Sequence, residues 1–294
     1  MRTNLDCYPC FLGQALDASR MAGADEARQR AVLHGVLDML HDVDPSNKPP
    51  EMGAKVHRLV RQKTGNADPY QAMKERSTAE ALALLPWMRK VVDDSSDPLE
   101  TAVRLSIAGN IIDAIPNREV DLREDLRRAL DRPLVVNDVE ALRTALNHAE
   151  WVLVLADNAG ETVCDRPLLD VIQAPVTYAV KGSPVANDAT ITDAQAAGVG
   201  EEAEVVSNGS DAPGTLLATC LEAFLDTFQE APLIIAKGQA NYECLSEAGP
   251  RVFFLLQTKC PVLARDVGVP KGSTVLRQGQ GPDGWGTNTE SEEL

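Results

Sequence analysis

The chain has 294 residues, 44% of them hydrophobic but only 4% aromatic, and a formal net charge of −16. That length builds one large domain or two modest ones around a core of Leu, Val, Ile and Ala, and the acidic balance argues against nucleic acid or an anionic membrane as partner. No apolar run approaches the ~20 residues of a membrane span, Met1 to Asp6 hold no apolar leader, and the six cysteines are too few and scattered for a disulfide framework, so a cytoplasmic, reducing-compartment protein is expected.

Helix signals fill the first 130 or so residues. Residues 25–43 place Val32, Leu33, Val36, Leu37, Leu40 and Val43 at helical spacing. A helix from about residue 50 follows Pro49-Pro50. Two more open on Asp68-Pro69 and Asp97-Pro98, where the Asp caps and the Pro suits the first turn. Pro86 is expected to kink or end the helix that begins at residue 69. In the helix over 98–115, Asn110 and Asp113 lie three apart on one face of an otherwise apolar stretch. Burying that pair without partners is costly, so it either faces a polar site or closes a local turn before Pro116. The residues alone leave the two readings even.

After residue 131 the pattern alternates between short apolar runs and helical stretches. Strands are predicted at 151–156, 176–180, 204–207, 232–236, 252–257 and 274–277, and Leu134 to Val136 add an early one. Helices are predicted at 161–173, 190–198, 214–230, 241–248 and 261–268. Such alternation predicts an α/β fold with a largely parallel sheet, plus an all-helical N-terminal region. The expected organisation is a helical region over 1–130 that contributes Asn110 and Asp113, an α/β catalytic domain over 131–278, and an acidic, Gly-rich tail over 279–294 expected to be disordered.

The chemistry gathers where strands end. Trp151 to Ala156 runs into Asp157-Asn158-Ala159-Gly160-Glu161, and an Asp-Asn pair has the hardness to hold Mg²⁺ or Mn²⁺. The following strands deliver Lys181-Gly182 with Asn187-Asp188, Asn208 to Gly214 including Asp211, Lys237-Gly238-Gln239 with Asn241, and Lys259-Cys260-Pro261. In a parallel sheet these ends share one edge, where carboxylates and lysines converge. That combination suits an anion held between a metal and ammonium groups, most simply a phosphate. Loops are rich in these residue types anyway, so the weight rests on the set and not on one loop.

Other motifs carry less. Cys7-Tyr-Pro-Cys10 lacks the second pair of a four-Cys zinc site and no strand precedes it. The pair reads as two small buried hydrophobes, with a metal site completed by Cys260 as the alternative. His34, His41, His57 and His148 form no ligand cluster, and Gly279 to Gly284 match a dinucleotide fingerprint without the helix that would follow it.

Cys7-x-x-Cys10, Gly109-Asn110-x-x-Asp113, Asp157 to Glu161, Lys181-Gly182 with Asn187-Asp188, Gly209 to Gly214, Lys237-Gly238-Gln239 with Asn241, and Lys259-Cys260-Pro261 occur in that order. As a set, over residues 5 to about 278, they resemble the metal-dependent damage-control phosphatases, long known as domain of unknown function 89. The Cys pair resembles that of the stand-alone prokaryotic branch. The resemblance implies a helical region packed on a Rossmann-like sheet with helices on both faces. It implies one divalent metal ion (Mn²⁺, Co²⁺, Ni²⁺ or Mg²⁺) held by Asp157, Asn158 and Asp188. It further implies hydrolysis of small phosphomonoesters, either sugar phosphates or damaged and side-product phosphometabolites.

On that reading Asp157, Asn158, Asp188, Glu161 and Lys237 are the catalytic set, and Asn110, Asp113, Lys181, Gly182, Asp211, Lys237 and Gln239 face the substrate phosphate. Lys237 and Lys181 would offset phosphate charge, while Glu161, Asp113 or Asp211 would orient water or protonate the leaving oxygen. A covalent aspartyl-phosphate on Asp157 is disfavoured, because Ala159 stands where an Asp-x-Asp motif needs its second carboxylate. Two other classes stay open: an S-adenosylmethionine-dependent carboxyl methyltransferase and a non-catalytic metal-binding module.

Overall fold

The computed structural model describes residues 1–110 and 122–281. Asp113 and the tail beyond Gly281 therefore lie outside the described residues. Six helices come first: α1 (Cys7–Met21), α2 (Glu26–His41), α3 (Pro49–Thr64), α4 (Gln71–Asp93), α5 (Pro98–Ala108) and α6 (Leu122–Leu130). Alternation follows: β1 (Leu134–Asn137), α7 (Val139–His148), β2 (Val152–Leu155), α8 (Glu161–Val171), β3 (Val176–Val180), α9 (Ile191–Ala196) and β4 (Glu204–Ser207). The chain continues with α10 (Glu222–Glu230), β5 (Ile234–Lys237), α11 (Gly238–Leu245), β6 (Val252–Gln257), α12 (Pro261–Val267) and β7 (Thr274–Gln278).

The strands form one seven-stranded sheet in the order β1-β7-β6-β5-β2-β3-β4. From β6 to β4 neighbouring strands run parallel, with Val152 opposite Val176 and Leu153 opposite Ile234. The last strand breaks the pattern. β7 runs antiparallel to β6 and parallel to β1, so the ends of β1 and β7 lie on the other edge of the sheet.

All four residues of β2 are buried. Val152 and Val154 pack with α4, α5 and α8, while Leu153 and Leu155 pack with α10, α11 and α12. A strand buried on both faces gives up the polar alternation of a half-exposed one, which is why Val-Leu-Val-Leu reads as a continuous apolar run. Each such side chain contributes about 1.5–3 kcal/mol when fully buried.

The first six helices divide between two cores. α4, α5 and α6 share the core of the sheet's first face, whereas α1, α2 and α3 pack on one another through Phe11, Val32, Val36, Met52, Val56 and Val60. α4 does not end at Pro86 but continues to Asp93, with Ala81, Leu85, Met88 and Val92 keeping one buried stripe on both sides of the proline. Asp97 caps α5 as its sequence suggests, accepting from the Glu100 N–H at 3.0 Å. Asp68 instead caps a turn before α4, accepting from the Tyr70 N–H at 3.1 Å, and the helix starts at Gln71.

The three-helix bundle sits over the carboxyl edge of the sheet. Lys48 donates to the Cys244 carbonyl at 2.5 Å, and Arg61 donates to the Pro184 carbonyl at 2.7 Å. A Cβ added at Gly53 would lie 3.2 Å from Pro213, so α3 approaches the loop after β4 as closely as a side chain permits. Among the described residues no helix is long and apolar enough to cross a membrane.

Candidate active site

From β2 the chain proceeds outward to β3 and β4, whereas β5 returns to the other side of β2 and leads away to β6. The β2–β5 seam is therefore the place where the connections diverge, the usual ligand site of an open α/β sheet. Asp157 follows β2 there, and Lys237 ends β5. The loops after β2 and β3 are zipped together: the Ala189 N–H donates to the Asp157 carbonyl at 2.8 Å and the Ala159 N–H to the Asn187 carbonyl at 2.9 Å. Asn158 and Asp188 pair as an antiparallel bridge. Backbone pairing, and no side chain, thus brings Asp157, Asn158 and Asp188 together.

Gly238 explains itself here. Its φ is +79° and a Cβ would come within 1.9 Å of an Asp157 carboxylate oxygen, so both conformation and space require glycine.

A second layer lies beneath the trio. Asn158 Nδ2 donates to Asp157 Oδ2 at 3.1 Å and to Glu161 Oε2 at 3.2 Å, which fixes the amide through its nitrogen. Asn110 Nδ2 also donates to Glu161 Oε2, at 3.1 Å. Lys237, wholly buried, directs its ammonium at Glu161 Oε1 (2.5 Å), Asp165 Oδ1 (2.6 Å) and the Ser106 carbonyl (3.2 Å). Those three acceptors use all three ammonium donors. Tyr178 Oη and Ser106 Oγ each donate to Asp165 at 2.6 Å.

The charges do not balance. Asp157, Glu161, Asp165 and Asp188 are buried beside two buried ammoniums, Lys181 and Lys237, a formal excess of two negative charges. Burial, then the charge of Asp188, pushes the Asp157 carboxyl up to about 7. Burial likewise pushes Glu161 up to about 7 against the pull of Lys237, and it raises Asp188. Buried carboxylates in this condition either hold protons or hold a cation.

The donor set is all oxygen, two carboxylates and an amide, and it suits a hard divalent ion. The Asn110 Oδ1 atom, buried and without a hydrogen-bond partner among the described residues, leaves one more oxygen near the carboxylates. Among the described residues no three His, Cys, Asp or Glu side chains are arranged to hold a metal ion, and the candidate trio has Asn158 as its third donor.

The trio opens into a cleft of about 500 Å³ between the sheet edge and the α1–α3 bundle. Asp157, Asn158, Asp188 and Gln239 line it. Gln239 donates to Glu243 at 2.6 Å. The other expected substrate contacts are turned elsewhere. Lys181 donates to the Gly214 carbonyl and lies 3.5 Å from Asp188, buried beneath the cleft floor, and the Gly182 N–H donates to the Ser210 carbonyl. Asp211 is gripped by Arg58 and Arg61 of α3, and the Arg58 hydrogen bonds hold its carboxyl below the usual carboxylate range. Lys237 and Glu161 likewise line no part of the cleft, because each spends its polar atoms on the other and on their neighbours.

The thiols need correcting too: Cys10 is exposed and Cys7 and Cys260 half-buried, all three free and lining the cleft, Cys7 and Cys10 from the first turn of α1 and Cys260 from the cap of α12.

Three residues were given no role at the site by the sequence reading, although Lys259 was among its converging strand-end lysines. Asp165 anchors Lys237; its signal was a carboxylate four positions after Glu161 on a helix otherwise rich in apolar residues. Lys259, exposed, lines the cleft and its charge acts on Asp157, and His57 lines the opposite wall. The strand end marks Lys259, whereas nothing local marks His57, since a histidine on a helix is ordinary.

A family model described as the damage-control phosphatase ARMT1-like domain matches residues 3–275. An uncharacterized protein of Methanocaldococcus jannaschii is 34% identical over 92% of this chain and 93% of its own. A damage-control phosphatase of Archaeoglobus fulgidus is 34% identical over 92% of this chain and 97% of its own. A damage-control phosphatase of Pyrococcus horikoshii is also 34% identical, over 94% and 97%. The crystal structure of a DUF89 family protein from P. horikoshii superposes with a TM-score of 0.88 at 31% identity, covering 95% of this chain and 100% of that one.

Proposed function

This chain belongs to the damage-control phosphatase ARMT1-like family, and from that premise we propose that it is a metal-dependent phosphatase of small phosphomonoesters. The observation that carries the reading is the convergence of Asp157, Asn158 and Asp188 at the diverging seam of the sheet, with an excess of buried negative charge beside them. Asp157, Asn158 and Asp188 would hold one divalent ion. When bound, such an ion supplies Lewis acidity toward a phosphoryl oxygen and acidifies water at the site.

The chain's own groups do the rest. Glu161, fixed by Asn110 and Lys237, accepts from the Asn158 amide nitrogen and so fixes that amide beside Asp157. Lys237 acts through Glu161 and Asp165, as a positioning residue. Lys259 is an exposed cation lining the cleft, and it would offset charge on a phosphate seated against the trio. The bundle over the sheet edge limits water around the ester.

The test is hydrolysis of p-nitrophenyl phosphate with Mn²⁺, Co²⁺, Ni²⁺ or Mg²⁺ before and after chelation and desalting. Asp157→Ala and Asp188→Ala are expected to lose nearly all metal-stimulated turnover. Full activity in the chelated enzyme, or in either variant, overturns the reading.

A further inference from the structure

Beneath the trio lies a polar network that takes no part in lining the cleft. Its centre is Asp165 of α8, which accepts from Ser106 Oγ of α5, from Tyr178 Oη of β3 and from the Lys237 ammonium of β5, each at 2.6 Å. Lys237 carries the linkage to Glu161 Oε1 at 2.5 Å. Glu161 Oε2 then accepts from Asn110 at 3.1 Å and from Asn158 at 3.2 Å. Ser106, Glu161, Asp165, Tyr178 and Lys237 are each 2% exposed or less. Four elements thus meet at buried charges, one hydrogen bond away from a residue of the trio.

Stability alone does not account for the arrangement. A buried ion pair contributes little beyond the apolar side chains that could replace it, because desolvation offsets most of the attraction. Tyr178 otherwise belongs to the apolar core on the sheet's first face, where a phenylalanine would fill the same place, and its hydroxyl is spent on Asp165. What the network does control is the setting of Glu161. The two hydroxyls fix Asp165, Asp165 fixes the Lys237 ammonium, and that ammonium fixes the carboxylate to which the Asn158 amide nitrogen is bound.

We propose that Asp165 is a positioning residue for the divalent ion. With Ser106 and Tyr178 it locks Lys237, and through Lys237 and Glu161 it holds the Asn158 side chain, so it sets the affinity of Asp157, Asn158 and Asp188 for the metal. The inference rests on the metal-dependent reading above and extends it to residues that line no part of the cleft.

The experiment measures Mn²⁺ binding by isothermal titration calorimetry on chelated and desalted protein, with no ester present. Asp165→Asn should raise the Kd about 10–100-fold, the usual effect of removing a partner one step behind a metal ligand. That variant also removes a negative charge, whereas Ser106→Ala and Tyr178→Phe remove none. Each of these should raise the Kd about threefold and the double variant about tenfold, through position and not charge. The double variant also carries the test should Asp165→Asn fail to fold. Its turnover of p-nitrophenyl phosphate should fall at limiting Mn²⁺ and recover at saturating Mn²⁺. Leu142→Ala, in α7 outside the network, should lower Tm without moving the Kd. A Kd that stays within about twofold in the double variant or in folded Asp165→Asn overturns the inference and leaves the phosphatase reading standing, as does an equal rise in Leu142→Ala. No Mn²⁺ binding by the unaltered protein overturns both. The expected binding pattern without hydrolysis of any ester overturns the phosphatase reading alone.

Discussion

At and beneath the sheet-edge wall of the cleft, Asp157, Asn158, Glu161 and Lys237 are tied to one another and to backbone, whereas on the bundle wall buried His57 packs edge-on against the Tyr70 ring. The first wall hangs on strand ends and on two loops joined by backbone pairing, so its side chains have little freedom. The second hangs on α1 and α3, which pack mainly among themselves and touch the sheet domain through a few polar links such as Arg61 to Pro184 and Lys48 to Cys244. Chemistry that depends on tenths of an ångström belongs on the wall whose side chains are fixed by their neighbours.

Breaking the first wall should have the largest effect. Asp157→Ala or Asp188→Ala is expected to lower kcat on p-nitrophenyl phosphate at least about a thousandfold, because several kcal/mol of transition-state stabilisation are removed. Steady-state assays at saturating Mn²⁺ measure it, and a drop below tenfold would contradict the assignment.

Lys237→Met tests the layer beneath. It strands Glu161 and Asp165 without their buried cation, and breaking such a pair costs about 3–5 kcal/mol. Urea unfolding reads this directly, and a loss below 1 kcal/mol would mean that the carboxylates are protonated without difficulty.

The second wall predicts a pH effect on stability. His57 is neutral in the fold down to about pH 4, while the unfolded chain protonates it near 6.5. The unfolded state therefore binds more protons between those values, so stability is unaffected above the upper one and falls as pH drops through the window. The total is about 3 kcal/mol, from about 1.36 kcal/mol per pH unit. His57→Phe should flatten that part of the difference curve, and parallel curves for the two proteins would refute it.

The smallest effect is expected at Asp211. Asp211→Asn weakens a partly exposed pair with Arg58 and Arg61 and should cost no more than about 1 kcal/mol. Because the side chain points at α3 and away from the cleft, kcat should stay within twofold; a large loss of turnover would return Asp211 to the site.

Much of this was written in local patterns. The run Trp151 to Ala156 reads as a doubly buried strand, which β2 is, and its end at Asp157-Asn158 lies where buried carboxylates gather. Predicted strands at 176–180, 204–207 and 252–257 coincide with β3, β4 and β6. The start of α10 was misjudged, since the predicted helix over 214–230 begins only at Glu222. Gly214 there takes φ +66°, and its N–H and carbonyl face Asp188 and Lys181. The reversed β7 was equally invisible, because an antiparallel and a parallel buried strand present the same apolar run.

The amino-acid sequence by itself determined the elements, the two-faced sheet and the carboxylate corner, because periodicity and strand-end chemistry are properties of neighbours in the chain. Only the tertiary structure decided which charges face the cleft. Lys181 and Lys237 follow strands just as Lys259 does, yet two are consumed by buried carboxylates and carbonyls and one stays open. That division depends on Asp165, Ser106 and Gly214, each distant in sequence from the lysine it meets. A side chain's partner is set by proximity in space, and no local pattern encodes it.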